Sequence, residues 1–318
     1  MNKNIYDVII VGAGISGLVF AKKMKQNGLN VLVIEKSKSV GGRMATRRDE
    51  NSRYDHGAQF LKFENPELQD IKNELLEQNL INEWFQLNSV KYYAAESGIT
   101  KIAKHLKTDL QIVFSEKAVQ INNESADFIQ VLCESGQNYY AKNLVLSAPW
   151  PQSRDLLQIS NIQFPENLKS LNYHQAVVGL FELSDQNDSL DQFKYMEKVD
   201  ENIHSVSNQK SKKVSQKNCF TVVMTSTFSQ INFEFADEII QEKITEHFSN
   251  WLKKQNSKST ILKSQIKKWR YSHPESIYNK TYETVGSNKN IFLIGDAFGG
   301  GSVHGAILSA LRAASSFN

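Results

Sequence analysis

The stretch Asp7-Val8-Ile9-Ile10-Val11-Gly12-Ala13-Gly14-Ile15-Ser16-Gly17 decides how this chain folds. Residues 7–11 are apolar and β-branched after the aspartate, the pattern of a buried strand. Gly12, Gly14 and Gly17 follow at once, and a helix-like run over residues 15–27 closes at Gly28. A second apolar strand, Val31-Leu32-Val33-Ile34, ends in Glu35. Each part has a job in holding a dinucleotide. Gly12 permits the tight turn out of the strand, Gly14 lets backbone approach a pyrophosphate, and Gly17 lets the helix pack close to the sheet. The helix N-terminus offers unpaired N–H groups and a positive dipole end to phosphate. Glu35 can accept hydrogen bonds from both ribose hydroxyls, and its charge argues against a bound 2′-phosphate. NAD and FAD remain.

The bulk numbers narrow the partners. A chain of 318 residues fits two domains better than one small core. Lys plus Arg total 37 against 34 Asp plus Glu, a formal net charge of +3, so charge implies neither a nucleic-acid nor a membrane partner. The cysteines, Cys133 and Cys219, form no CxxC pair, and a reducing cytoplasm is the expected location. The seven histidines show no HxH or HExxH spacing, so no metal site is expected. No stretch approaches the ~20 apolar residues that span a bilayer. Asp7 and the glycine fingerprint argue against reading residues 8–20 as a signal peptide.

Further along, strands are expected at residues 110–114, 118–121, 128–133 and 144–147, and β segments at 176–183, 219–228 and 261–271. Residues 144–151, a buried strand broken by Pro149 and Pro151, read as a crossing point between domains. A helix over 237–252 carries Ile240, Ile244, Phe248 and Trp251 on one face, which predicts core packing. Residues 208–218 hold four lysines and read as a solvated hairpin loop. Ile291-Phe292-Leu293-Ile294 is a further buried strand, followed by Gly295-Asp296, the glycines 299–301 and a helix to about Ala314. That strand, turn and helix N-terminus make a second place for an anion or an electron-rich ring edge. Cofactor elements thus stand at both ends of the chain, so the cofactor domain is discontinuous.

Val40-Gly41-Gly42-Arg43-Met44 resembles the motif after the ribose-binding acid in FAD-dependent amine oxidases, desaturases and related flavoproteins. With His56-Gly-Ala-Gln-Phe60, Gly98-Ile99, Ser147-Ala-Pro-Trp-Pro-Gln152, Lys268-Trp-Arg-Tyr271 and Ile294-Gly-Asp296, the chain resembles the renalase-like branch of the FAD-dependent amine oxidase superfamily. The resemblance implies an α/β fold. A Rossmann-like FAD-binding domain of the glutathione-reductase/p-hydroxybenzoate-hydroxylase type would comprise residues 1–60, 98–155 and 270–318. A mixed-sheet α+β substrate domain would comprise 61–97 and 156–269.

The resemblance also implies site residues. Gly12, Ala13, Gly14, Ile15, Ser16 and Gly17 would hold the pyrophosphate, Glu35 the adenosine ribose and Arg43 the diphosphate, with Lys36, Gly42 and Met44 also binding the cofactor. Gln59, Phe60 and Ala148 would lie by the cofactor, and Val119 would meet the adenine through its backbone. Gly295 and Asp296 would serve the ribityl or pyrophosphate region, and Val303, Gly305 and Ala306 the N1–O2 edge of a noncovalent FAD. Tyr93, Phe60, Trp269, Tyr271 and His304 would face substrate, with no protein acid or base as catalyst. Two positions depart from the family pattern: Ser302-Val303-His304-Gly305, where Arg-x-Glu-Gly is frequent, and His56, where an apolar residue is common.

By this resemblance the activity is oxidation of 2- or 6-dihydro-NAD(P) to NAD(P)+, with O2 as electron acceptor and hydrogen peroxide as product. An amine oxidase acting on a small amine and a flavin-binding protein without turnover are the alternatives.

Overall fold

The computed structural model describes residues 4–123, 125, 127–184 and 189–317, and the chain is of the mixed α/β class. It divides into two compact units, one of Met1–Gly42, Ala103–Tyr173 and His273–Asn318, the other of Arg43–Ile102 and His174–Ser272.

The first unit is built on an eight-stranded sheet. Ile5–Val11 lies at its centre, parallel to Val31–Glu35 on one side and to Asn138–Leu146 on the other. Gln111–Phe114 extends the sheet beyond Val31–Glu35, and Ile291–Leu293 extends it beyond Asn138–Leu146, both in parallel. Every residue of Val31–Glu35 is buried, as in strands covered on both faces. The chain reverses its direction of travel across the sheet at Ile5–Val11, so the first glycine turn sits at a switch point of an open α/β sheet, where such folds bind ligands.

The long strand Asn138–Leu146 shares one edge between two partners. Its first half pairs antiparallel with Ile129–Cys133 and its second half parallel with Ile291–Leu293. Only the apolar second half reads as a strand in the sequence. The polar first half, Asn138-Tyr-Tyr-Ala-Lys-Asn143, is held by ladder bonds rather than by burial on both faces.

The prolines after this strand do not mark a crossing between units. Pro149 is the N-cap of the helix Trp150–Ile159 and Pro151 lies in its first turn. Those are positions whose N–H would have no helical partner, so proline starts a helix there instead of breaking one. The chain stays in the first unit as far as Tyr173. Residues 43–60, 98–102 and 270–272 belong to the second unit and 156–173 to the first, which differs from the expected domain boundaries.

The second unit holds a five-stranded sheet in the order Tyr195–Glu197, Ile203–Asn208, Cys219–Met224, Tyr173–Leu183 and Ile261–Pro274. The helix Asp237–Lys254 packs Ile240, Ile244, Phe248 and Trp251 into a core with Val177, Phe181, Phe220 and Val222. Phe248 stacks on Trp251 at 5.5 Å and lies 4.5 Å from Phe181. Two hairpins complete the unit, Thr46–Asp49 with Ser52–Asp55 and Asn82–Leu87 with Val90–Ala94.

The lysine-rich residues 208–218 are not a solvated loop. Asn208, Gln209, Lys212, Val214, Ser215 and Asn218 are all buried. Replacing Phe248 with Ala leaves a cavity under an intact helix and is expected to cost about 3–5 kcal/mol. Chemical denaturation of the purified variant measures the loss.

Candidate functional site

In the first unit the glycine turn is fixed by crowding. Gly12 has φ +108°, and a Cβ there would stand 2.7 Å from Ser147 Oγ. A Cβ on Gly17 would stand 2.2 Å from the carbonyl oxygen of Gly12. The Ser147 hydroxyl donates to the carbonyls of Val11 and Gly12 at 3.0 and 2.9 Å. Gly14 is different: a Cβ on it meets nothing within 4 Å. Gly14 is the N-cap of the helix Ile15–Gln26, no side chain caps that end, and no acid lies in its first turn. Unpaired N–H groups therefore face open space, which is what a pyrophosphate requires.

Two further elements frame that end. Glu35, buried at the close of its strand, accepts from the backbone N–H of Ala13 and of Ser37, each at 2.7 Å. The second glycine turn lies against the first, with Gly41 N–H donating to Ala13 O at 2.9 Å. Lys36 is exposed and donates to Gln152 at 2.8 Å. Val119 sits where the pairing of Ala118–Asn122 with Ile129–Cys133 shifts register between Ala118 and Gln120. A bulge of this kind leaves a backbone amide outside the regular ladder. Ala148 is half-buried and its carbonyl accepts from Ser153.

The C-terminal segment returns to the same unit. Gly295, at φ +141°, donates its N–H to Ser309 Oγ and has open space where a Cβ would be. The buried Asp296 carboxylate accepts from the Tyr173 hydroxyl at 2.7 Å. Gly299 and Gly305 touch backbone to backbone, since a Cβ on Gly299 would overlap the Gly305 carbonyl at 1.8 Å. The helix Val303–Ser315 has no side-chain cap, because Ser302 Oγ engages the His304 ring instead. Val303 and His304 are half-buried, and Gly305 and Ala306 are buried.

The remaining expected residues belong to the second unit. Arg43 donates to the carbonyl of Ser272 at 3.0 Å, and its own carbonyl accepts from Ala58 N–H at 2.9 Å. Met44 is buried. Gln59 is turned inward: its amide donates to the carbonyls of Asp55 and Gly57 at 2.8 and 2.9 Å, and its oxygen accepts from Gln209 at 3.2 Å. The hub of this network is an ion pair at 2.9 Å between Asp55 and Lys212, both side chains fully buried. Asp55 also accepts from Thr46 Oγ1 and Ile99 N–H, so its carboxylate is saturated. Burial pushes the Lys212 ammonium below its usual range, while Asp55 pulls it back.

The aromatic residues sort differently from their order in the sequence. Tyr92 and Tyr93 are consecutive in one strand, so their rings leave opposite faces. Tyr93 is buried against Phe63. Tyr92 stacks on Phe85 at 4.4 Å and meets the edge of Phe60 at 4.8 Å, with Tyr195 beside Phe60 at 5.2 Å. Trp269 and Tyr271, two apart on one strand, share a face. Trp269 stacks on the His56 ring at 5.3 Å with planes 17° apart, and its indole N–H donates to the His56 carbonyl at 2.8 Å. Burial first, with Lys267 and Arg47 adding to it against Asp55, holds the His56 imidazole at about 4. The ring is neutral at pH 7, and its Nδ1 is buried without a hydrogen-bond partner.

Ser147, Tyr173, Tyr92 and the Asp55–Lys212 pair escaped the sequence reading. Strand alternation held the signal for Tyr92. Nothing local marks Lys212 among its neighbouring lysines.

A model of the flavin containing amine oxidoreductase family matches residues 81–316, and one of an NAD(P)-binding Rossmann-like domain matches residues 10–75. Flavin-containing amine oxidase B of Cavia porcellus is 52% identical over 48 residues, 15% of this chain and 9% of that protein. Protoporphyrinogen oxidase 2 of Arabidopsis thaliana is 33% identical over 92 residues, 29% of this chain and 18% of that protein. The chain thus matches less than a fifth of the length of these relatives. A solved structure from Exiguobacterium sp. 255-15, provisionally described as a protoporphyrinogen oxidase, superposes with a TM-score of 0.77 at 13% identity over 99% of each chain. A putrescine oxidase triple mutant superposes with 0.73 at 12% identity over 99% of each chain. At such identity these structures bear on the fold alone.

Gly14→Ala is expected to fold normally and lose dinucleotide affinity, whereas Gly17→Ala loses folded stability; cofactor titration and thermal melting separate the two. The folded His56 value lies below the ordinary 6.5, so the unfolded chain takes up the extra proton between about pH 6.5 and 4. His56 therefore stabilises the fold above that window, and about 3 kcal/mol is lost as pH falls through it. His56→Phe should flatten that part of the stability profile in denaturation experiments at stepped pH.

Proposed function

The chain belongs to the flavin containing amine oxidoreductase family, and from that membership we propose an FAD-dependent oxidase that returns 2- or 6-dihydro-NAD(P) to NAD(P)+. The net reaction consumes one O2 and one proton per dihydronicotinamide and releases hydrogen peroxide. FAD is the cofactor of the family. When bound, it supplies the hydride acceptor and the route of electrons to O2.

The residues present fit that cofactor. The helix end at Gly14 has no side-chain cap, a Cβ on Gly14 or on Gly295 would meet nothing within 4 Å, and Glu35 is buried at the end of its strand. In this reading residues 12–17 hold the pyrophosphate, Glu35 the ribose, the Val119 backbone the adenine, and the N-terminus of Val303–Ser315 the pyrimidine edge of the flavin. The resemblance assigns the diphosphate side to Arg43 as well, whose guanidinium donates to the Ser272 carbonyl.

The observation that carries the substrate assignment is the ring pair of His56 and Trp269, a flat stack whose imidazole is neutral. A dihydropyridine that loses hydride becomes an aromatic pyridinium, so the substrate supplies its own driving force. The protein then has to position a ring and need not remove a proton. The neutral imidazole adds no charge of its own to oppose the pyridinium product, and the Lys267 ammonium lies 5.6 Å from the indole centroid. The buried charges of the same unit, Asp55 and Lys212, are consumed by each other. Oxidation of a small amine is the second reading, favoured by the family match itself.

Anaerobic mixing of the FAD-loaded protein with borohydride-reduced NAD separates the two. The 2- or 6-dihydro isomer should bleach the flavin rapidly, with the 4-dihydro isomer left unreacted. Bleaching by benzylamine or a polyamine, and by no dihydronicotinamide, would overturn the assignment.

A further inference from the structure

The hairpin Thr46–Asp49 and Ser52–Asp55 carries charge that its own packing does not explain. Arg48 and Arg53 are direct cross-strand partners, so both side chains leave the same face. Both are exposed. Like charges directly opposite one another in an antiparallel pair are destabilising. Among the described residues neither guanidinium makes a hydrogen bond or an ion pair. The acids around them are engaged elsewhere. Asp49 accepts from Gln265 at 2.8 Å, Glu50 pairs with Lys263 at 3.2 Å, and Asp55 is taken by Thr46, Ile99 and Lys212.

We propose that Arg48 and Arg53 form an anion subsite for the diphosphate bridge of a dinucleotide substrate. Two guanidinium forks present donors in the geometry that phosphate oxygens accept bidentately. Cross-strand Cα atoms stand about 4.5–5.5 Å apart, a spacing at which two long side chains reach adjacent phosphoryl groups. The next pair on the same face is Thr46 and Asp55, and Asp55 leads directly into His56, which stacks on Trp269. The hairpin therefore carries its anion subsite on the same short run of chain as the flat ring pair. The subsite rests on the dihydronicotinamide reading for the identity of its ligand, and on the unpaired arginines for its existence.

The test compares the FAD-loaded protein with its Arg48→Gln/Arg53→Gln variant. Each is reduced anaerobically by 6-dihydro-NAD and by the corresponding 6-dihydronicotinamide riboside, which carries no phosphate. KM for the dinucleotide should rise about tenfold or more, on the scale of one or two charge-assisted hydrogen bonds. KM for the riboside should stay put. Inorganic pyrophosphate should compete with the dinucleotide in the unaltered protein and tenfold less well in the variant. An unchanged KM for the dinucleotide would overturn the proposal, as would an equal rise for dinucleotide and riboside. Loss of FAD affinity in a fluorescence titration would overturn it too, by giving the pair to the cofactor. If no dihydronicotinamide reduces the flavin, the functional reading fails by itself. Calorimetric binding of inorganic pyrophosphate, lost in the variant, then supports an anion site, and binding equal in both proteins ends it.

Discussion

Backbone meets backbone at the first glycine turn with no room for one more carbon. The Gly12 carbonyl lies where a Cβ of Gly17 would be, and the Ser147 hydroxyl fills the other side of the same corner. This contact fixes how closely the helix Ile15–Gln26 approaches the sheet. It also ties two parallel strands at their C-terminal ends, because Ser147 follows the strand Asn138–Leu146. Glu35 and Gly41 then register on Ala13 by single hydrogen bonds. This corner of the first unit is thus positioned by sterics first and by hydrogen bonds second, and Gly14, unlike Gly12 and Gly17, has open space where a Cβ would be.

The second unit is organised around a charge instead. Replacing a buried ion pair by apolar residues is often harmless, whereas removing one partner leaves an uncompensated charge. Lys212 draws a lysine-rich loop inward to Asp55, while Trp84 donates to Ser211 in the same loop and lies 5.5 Å from the Lys212 ammonium. Gln59 and Gln209 close the remaining polar valences. The run from Asp55 to Phe60 is therefore held at its base by saturated polar contacts and at its end by aromatic rings. Within that run, Nδ1 of His56 is buried without a hydrogen-bond partner.

What was legible in the sequence is what short-range physics decides. The strand, glycine turn, helix and terminal glutamate lie within 35 residues and signal through periodicity and the absence of side chains. The return of the chain at Gly295-Asp296 was readable because it repeats the strand, turn and helix pattern. Lys212 was not, because its burial depends on a carboxylate far away in sequence. Tyr92 and Tyr93 look alike in the sequence, but consecutive strand positions send their rings to opposite faces, one to Phe60 and Phe85 and the other to Phe63. Pro149 and Pro151 read as a break in the sequence because proline starts and stops helices with the same local signal, and only the following turn tells which.

The shared edge of the strand Asn138–Leu146 has a consequence for how the protein is made. Its antiparallel partner, Ile129–Cys133, emerges just before it during synthesis, but its parallel partner, Ile291–Leu293, emerges after the whole of the second unit. Long-range pairing of this kind closes late, since loop entropy is lost before any contact rewards it. Half of that edge must wait on the ribosome with its backbone groups unpaired while the five-stranded sheet folds. The eight-stranded sheet is therefore finished by the same late segment that brings Gly295 and Asp296, so those two residues reach their places only as the first unit is completed.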